Sequence, residues 1–146
     1  MSIQNETRSP IEYVGLVDIR FSDIDSYGHV NSKHYLDIIS TARLNFLAEQ
    51  MKMPIEDVTK QGIGFFLTKS TMNFKRPISG LQKVLATSRV TEVRDGKVLV
   101  IPYELTDETK TVTYSDGTLE FAIIDMHSKR VTTAPTWVLD LFFSQN

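Results

Sequence analysis

Two carboxylates lie between a predicted strand and a predicted helix. A β-type run from Tyr13 to Phe21 is followed by Asp23 and Asp25, and a helical pattern opens at Asn31. The start of a helix has N–H groups without intrahelical acceptors and a partial positive charge. A carboxylate that activates water or attacks a carbonyl, next to N–H groups that bind the developing oxyanion, forms an acyl-transfer site.

The same residues also have a purely structural interpretation. Aspartate near a strand-to-helix junction commonly caps the helix or closes an Asx turn, and Gly28 could simply supply a positive φ. As a catalytic group, Asp25 could be a nucleophile or a general base, and the sequence leaves both open. Asp23 lies on the same face of an extended chain and is the weaker candidate.

Three neighbouring side chains extend the candidate site. His29 could donate a hydrogen bond to the substrate or to Asp25, or it could be a structural histidine. Asn31 could contact substrate or water, although a helix N-cap is the commoner role for asparagine. Tyr35 lies one helical turn further on, where its ring is expected to pack and its hydroxyl to reach a polar neighbour.

Composition excludes several other chemistries. The 146 residues include no cysteine, so a thiolate nucleophile, a disulfide and a cysteine-ligated metal are excluded. His29 and His34 lack the acid of the His-Glu-x-x-His zinc helix, and neither a nucleophile elbow nor a phosphate loop is present. We therefore expect no metal and no organic cofactor.

Charge and hydropathy limit the partners. The net charge of -2 gives no basic footprint for nucleic acid. No apolar run approaches the roughly 20 residues that span a bilayer, and the first residues lack the apolar centre of a signal peptide. We expect a cytoplasmic protein with a loose lead-in over residues 1–10 and a single domain over residues 11–146.

Hydrophobic periodicity predicts one long helix and an antiparallel sheet. The helix runs from Asn31 to Met51, with an apolar stripe that faces the sheet, and a polar connection follows to Gln61. A short C-terminal helix begins near Thr133. The predicted strands are Tyr13 to Phe21, Ile63 to Arg76, Lys83 to Arg94, Lys97 to Thr106 and Thr111 to Met126. This order predicts an α+β architecture that pairs with a second copy.

Irregularities in the strand patterns predict local features of the sheet. The apolar phase changes between Leu67 and Met72, which predicts a bulge near residues 69–71. Pro102 indicates an edge position or a bulge. The residues Asp95-Gly96 predict a tight hairpin, and residues 115–117 are expected to interrupt the last strand.

One motif combines Asp23, Asp25, Gly28-His29-Val30-Asn31, Tyr35 and Ala42-Arg43. This motif resembles that of the 4-hydroxybenzoyl-CoA thioesterase family of hotdog-fold proteins. A second segment, Phe74 to Pro77, is similar to that family's aromatic-x-Arg-Pro sequence, and Thr132 to Pro135 is similar to its ending. The resemblance implies a long antiparallel sheet wrapped around a central helix, dimers or dimers of dimers, and a thioester bound at the dimer interface.

The resemblance also implies roles for individual residues. Asp25 matches the family's catalytic aspartate, and the N–H groups of residues 30–33 match its thioester carbonyl site. Ser40 stands where many relatives have an acid, and Ser32 replaces the motif's second asparagine. The expected catalytic residues are Asp25, His29 and Asn31, and the expected substrate-binding residues are Tyr27, Val30, Ser32, Lys33, Tyr35, Phe66, Thr68, Lys75 and Arg76.

The function that these features predict is hydrolysis of an acyl-CoA to a carboxylic acid and free CoA. An acyl-carrier-protein thioester is an alternative substrate. A non-catalytic acyl-CoA-binding protein and a hotdog dehydratase or hydratase are alternative functions. The acyl group, the choice between dimer and tetramer, and the pathway stay open at the level of sequence.

Overall fold

The computed structural model describes residues 8–144. The strands are β1 (Tyr13–Asp18), β2 (Ile63–Phe74), β3 (Lys83–Ser88), β4 (Glu92–Arg94), β5 (Val98–Thr106), β6 (Thr113–Asp125) and β7 (Arg130–Val131). The helices are α1 (Tyr35–Asn45), α2 (Ile55–Lys60) and α3 (Thr136–Phe142). A 3-10 turn, Ser32–His34, leads into α1, and a π turn, Phe46–Gln50, ends the same helical segment.

The strands form one antiparallel sheet around the central helix. The strand order is β1-β3-β5-β6-β2, with β4 paired to β5 and β7 paired to β6. The core lies between α1 and the concave face of this sheet, and the predicted α+β hotdog architecture is confirmed. Within this order β2 is a terminal strand, so one of its two edges has no strand partner in the described chain.

Helix α1 lies across the sheet as its apolar stripe predicts. Tyr35, Ile38, Ile39 and Ala42 are all buried on the face that meets the strands. Gly15 of β1 faces Ala42, and a Cβ added at this glycine would be 3.8 Å from the alanine Cβ. The helix therefore packs closely on β1 without a clash.

The predicted bulge in β2 is present. The register between β2 and β6 shifts between Leu67 and Lys69, slightly before the expected position. The shift lets Phe65 and Phe74, which differ in sequence parity, both reach rings in the interior: Phe65 meets Phe142, and Phe74 meets Tyr35. The C-terminal end of β2 is thereby fixed to the start of α1.

The predicted strand from Lys83 to Arg94 is in fact two strands, β3 and β4. Both pair with β5, and they are separated opposite Pro102, which has no N–H to donate to a neighbouring strand. The proline is thus tolerated in a central strand because its neighbour is interrupted there. The Asp95-Gly96 turn has positive φ at both residues, 53° and 73°, as the predicted tight hairpin requires.

Three sequence-based predictions of local structure were wrong or incomplete. Helix α2 lies in the region predicted as a polar connection, and it buries only Val58. The two-residue strand β7 was not predicted. Residues 115–117 do not interrupt β6, since all three pair with β2. Glycine is needed at position 117 because a Cβ there would overlap the Thr71 carbonyl oxygen.

The described part of the predicted lead-in is bonded to the C-terminal segment. Arg8 forms an ion pair with Asp140, and the N–H of Ser144 donates to the Ser9 carbonyl at 2.8 Å. The rest of the lead-in lies outside the described residues, and the single domain over residues 11–146 stays a prediction. None of the helices in residues 8–144 has the length and apolar character needed to cross a membrane.

Candidate active site

Asp25 closes a tight turn between β1 and the central helix. Its Oδ1 accepts the N–H of Tyr27 at 2.9 Å and that of His29 at 3.3 Å. The Asp25 N–H donates to the His29 carbonyl at 2.8 Å, and Gly28 has a φ of 78°. The Asx turn considered from sequence is therefore present. It orients the carboxylate and leaves Oδ2 without a hydrogen bond from any described residue.

The segment after β2 holds this turn in place. The Val30 N–H donates to the Ile78 carbonyl at 2.8 Å, and the Gly80 N–H donates to the Gly28 carbonyl at 3.0 Å. An isolated bridge also pairs His29 with Ser79. The turn that carries Asp25 is thus anchored to a segment about 50 residues later in the chain, which begins two residues after Arg76.

The helix start offers fewer N–H groups than the sequence suggested. The Val30 N–H is occupied by Ile78, and the Asn31 N–H donates to the Asp23 carbonyl at 2.9 Å. Asn31 is the N-cap, and its Oδ1 accepts the Lys33 N–H at 3.1 Å. Among the backbone N–H groups of residues 30–33, only that of Ser32 has no acceptor in the described chain. Of the four N–H groups that were expected to bind the thioester carbonyl, only that of Ser32 is therefore available.

Asp23 is a buried structural carboxylate. Its Oδ1 accepts Arg20 Nη2 at 2.8 Å, and its Oδ2 accepts Arg20 Nε at 3.2 Å and the Arg20 backbone N–H at 2.9 Å. His34 Nδ1 is 3.6 Å from Oδ1. The Arg20 hydrogen bonds hold the pKa of Asp23 below its usual range, although its own burial opposes the shift. The arrangement fixes the loop that leads to Asp25.

The Asp23→Asn variant is expected to lose stability in a pH-dependent way. A carboxylate whose pKa is lowered by folding stabilises the folded state above its unfolded pKa of about 3.9, and this contribution disappears as the pH falls through the folded pKa. The Tm of wild type should exceed that of Asp23→Asn near neutral pH, and the gap should narrow below about pH 4. Thermal unfolding of both proteins over a pH series measures the gap. A gap that stays constant would contradict this role.

Tyr35 joins the helix start to the end of β2. Its ring is buried and meets the Phe74 ring edge-on, with centroids 5.1 Å apart. Burial raises the pKa of Tyr35, and the Ile78 backbone partly offsets the effect. The phenol is therefore neutral in the working range, and its ring connects the start of α1 to the end of β2.

The remaining predicted residues lie along β2 and just beyond it. Thr68 Oγ1 donates to the Glu120 carbonyl at 3.2 Å, and Lys75 forms an ion pair with Asp116 at 3.0 Å. Arg76 is exposed, and the Phe66 side chain is 64% exposed. Phe66 and Thr68 precede Phe74 by about 20 Å or more of extended strand. A single chain therefore does not bring them to the Asp25 turn.

One polar residue was in the sequence motif without an assigned role. Arg43 is buried on the sheet-facing side of α1, with its Cζ 5.0 Å from the Tyr13 ring centroid and 5.9 Å from those of Phe121 and Phe142. Helical spacing from the buried Ile39 and Phe46 could have indicated its burial. In the described chain no cluster of three or more His, Asp or Glu side chains could hold a metal ion.

Comparison with known sequences supports the inference from the motif. The profile of the Thioesterase-like superfamily matches residues 19–142. The long-chain acyl-CoA thioesterase FadM of Escherichia coli K12 is 24% identical over 114 residues, which cover 78% of this chain and 84% of FadM. The residues that the profile matches include the turn, the central helix and the whole sheet after β1.

Comparison with solved structures identifies the same fold. A DHNA-CoA thioesterase from Staphylococcus aureus has a TM-score of 0.76 at 21% identity, covering 88% of this chain and 85% of its own. Another Staphylococcus aureus protein, solved in complex with CoA, has a TM-score of 0.78 at 16% identity and covers 90% of this chain and 82% of its own. Because the family profile spans most of the sequence and the fold agrees, the chain belongs to the thioesterase-like superfamily of hotdog-fold thioester hydrolases.

Proposed function

We propose that this protein is an acyl-CoA thioesterase that hydrolyses an acyl-CoA to a carboxylic acid and CoA, with Asp25 as its catalytic group. The observation that carries the proposal is the Asp25 turn. Two backbone N–H groups fix one carboxylate oxygen, and the other oxygen is left for chemistry. The helical segment begins seven residues later at Ser32, whose N–H has no acceptor in the described chain.

Two routes use this geometry. In the first, Asp25 Oδ2 takes a proton from water while the water oxygen attacks the thioester carbonyl. In the second, Oδ2 attacks the carbonyl itself, and water then hydrolyses the mixed anhydride. Both pass through a tetrahedral oxyanion to which the Ser32 N–H donates, and collapse of this oxyanion breaks the C–S bond and releases the CoA thiolate, which is protonated. The first route then has its acid product, whereas the second still has to hydrolyse the anhydride.

Neighbouring side chains are proposed to bind the substrate. Tyr27 is 83% exposed beside Asp25 and can cover the thioester. Arg76 is free to meet CoA phosphates, whereas Lys75 must first leave Asp116. FadM acts on long-chain acyl-CoA, and a structural neighbour was solved with CoA, which supports CoA as the carrier. His29 and Asn31 are proposed as polar contacts to the thioester or to water.

A second copy of the chain is proposed to complete the site. Strand β2 has an unpartnered edge and carries two exposed rings, Phe66 and Phe74. When two β2 strands pair antiparallel, the first half of one lies beside the second half of the other. Phe66 and Thr68 of one chain would then lie near the Asp25 turn of its partner, which a single chain cannot achieve.

The mass in solution tests this pairing. We expect light scattering to give twice or four times the chain mass of 16.6 kDa at micromolar concentration. A dimer buries the free β2 edge, and a tetramer pairs two such dimers. A monomeric mass in an active preparation would contradict a site shared between two chains.

The function is tested by thiol release from a panel of acyl-CoAs. The panel spans acetyl, medium-chain, long-chain and aromatic acyl groups, with the preferred acyl group also supplied on acyl-carrier protein. Turnover on CoA esters supports the proposal, and the preferred acyl group defines the substrate. Tight binding of CoA esters without turnover would favour a non-catalytic binding protein, and hydration of an enoyl-CoA would favour a hydratase.

The absence of cysteine fits a reducing compartment, and the proposed location is cytoplasmic.

A further inference from the structure

A small apolar cavity beside the central helix contains a positive charge without a partner. The cavity has a volume of about 190 Å³ and lies between α1, α2 and the sheet. Its lining is aliphatic and aromatic except for Ser40 and Arg43. The Arg43 side chain is more than nine-tenths buried, and its Nη1 has no hydrogen-bond partner. No carboxylate of the described chain lines the cavity or forms an ion pair with Arg43.

A guanidinium that is buried in an apolar cavity without a counter-charge lowers the stability of the folded protein. Burial of a charge without a counter-charge is strongly unfavourable, and buried arginines are normally paired with carboxylates. The aromatic faces of Tyr13, Phe121 and Phe142 offer some cation–π attraction at 5.0–5.9 Å, but they donate no negative charge. Burial lowers the pKa of Arg43, and the neighbouring Tyr13 phenol only partly offsets this effect. The geometry therefore calls for an anion supplied from outside the described chain.

A groove beside the cavity follows α1 toward the loop that precedes Asp25. This groove has a volume of about 350 Å³, shares Ser40 and Leu44 with the cavity, and is otherwise lined largely by charged side chains, Asp23 and His34 among them. Ser32 to Arg43 spans 11 residues, or about 16 Å along the helical segment. An extended acyl group whose thioester lies at Ser32 can thus follow the helix and end at Arg43.

We propose that Arg43 binds a carboxylate at the far end of the acyl group, so that the preferred substrate is the CoA thioester of a dicarboxylic acid. This inference rests on the proposed thioesterase function. A volume of about 190 Å³ exceeds the 150 Å³ cavity that binds benzene, so a chain end of several carbons and its carboxylate fit. Arg43 would pair with the two carboxylate oxygens, and the Ser40 hydroxyl would donate to one of them.

Matched pairs of CoA esters test the substrate class. Adipoyl-, suberoyl- and dodecanedioyl-CoA are compared with hexanoyl-, octanoyl- and dodecanoyl-CoA. Wild type should favour one of the diacid esters over the plain ester of equal length by about tenfold or more in kcat/KM, as expected for a charge-assisted hydrogen bond. The Arg43→Met and Ser40→Glu variants should lose this ratio, the first by removing the cation and the second by supplying an internal carboxylate. Asn45→Glu adds the same charge on the exposed side of α1 and should keep the ratio.

A binding measurement separates this inference from the thioesterase proposal. Free suberate should raise the Tm of wild type and of Asn45→Glu, but not that of Arg43→Met or Ser40→Glu. Diacid binding without turnover of any CoA ester would support the cavity assignment and overturn the thioesterase proposal. Turnover of plain acyl-CoAs, with no diacid preference and no Tm shift, would overturn the assignment and leave the thioesterase proposal intact. Folding of each variant is checked by its own Tm without ligand.

Discussion

The Asp25→Asn variant is expected to lose about a hundredfold or more in kcat while the protein stays folded. The asparagine Oδ1 can still accept the N–H groups of Tyr27 and His29, so the turn keeps its hydrogen bonds. An amide nitrogen in place of Oδ2 can neither take a proton nor attack a thioester. KM should change little, since the groups proposed to hold CoA are untouched. Steady-state thiol release measures both constants.

The chain offers a closely matched control for this experiment. Asp125 closes another Asx turn, in which its Oδ1 accepts the N–H of His127 at 2.8 Å and that of Ser128 at 3.2 Å. The Asp125→Asn variant makes the same chemical change in a similar turn outside the site and should keep wild-type kcat. If Asp25→Asn were folded and as active as Asp125→Asn, the role assigned to Asp25 would be wrong.

The Gly117→Ala variant is expected to have the largest effect on stability, a loss of about 3 kcal/mol. Gly117 of β6 pairs with Met72 of β2, and a Cβ at this position would overlap the Thr71 carbonyl oxygen. A backbone oxygen within a paired strand cannot move aside as a flexible side chain can. The second half of β2 would have to separate from β6, which would also disturb the contact of Phe74 with Tyr35. Urea unfolding measures the loss.

A second strand glycine isolates the cause of that loss. Gly15 also faces the interior from a strand, but an added Cβ would meet Ala42 at the ordinary contact distance of 3.8 Å. The Gly15→Ala variant should therefore change the free energy of unfolding by less than about 1 kcal/mol. Equal urea midpoints for Gly117→Ala and wild type would refute the steric account.

Much of the fold could be predicted because the deciding information is local. The apolar stripe of α1 repeats at helical spacing, and the change of phase in β2 marks its bulge directly. The break between β3 and β4 was not predicted, although Val90 and Val93 differ in parity and thus mark a change of phase there too. That break lies opposite Pro102, and the pairing of the two segments depends on tertiary structure.

Part of the local structure at the candidate site was predictable, but its hydrogen bonding was not. The Asx turn at Asp25 was considered from sequence, and Asn31 acts as the N-cap as its residue type predicts, whereas the catalytic role of Asp25 stays a proposal. The loss of the Val30 N–H to the Ile78 carbonyl depends on a segment far along the chain, which no local pattern reveals. The lack of a counter-charge for Arg43 could not be predicted either, because it depends on which side chains pack around the helix in the tertiary structure.

The most direct test of the proposed hydrolysis measures whether oxygen from water enters the acid product. Wild-type protein is incubated with its preferred acyl-CoA in water labelled with heavy oxygen, and the free thiol and the acid product are both quantified. The account predicts equal amounts of thiol and acid, with the heavy isotope incorporated into the acid carboxyl group. Thiol release without a labelled acid, or no thiol from any acyl-CoA, would contradict hydrolysis as the function of this protein.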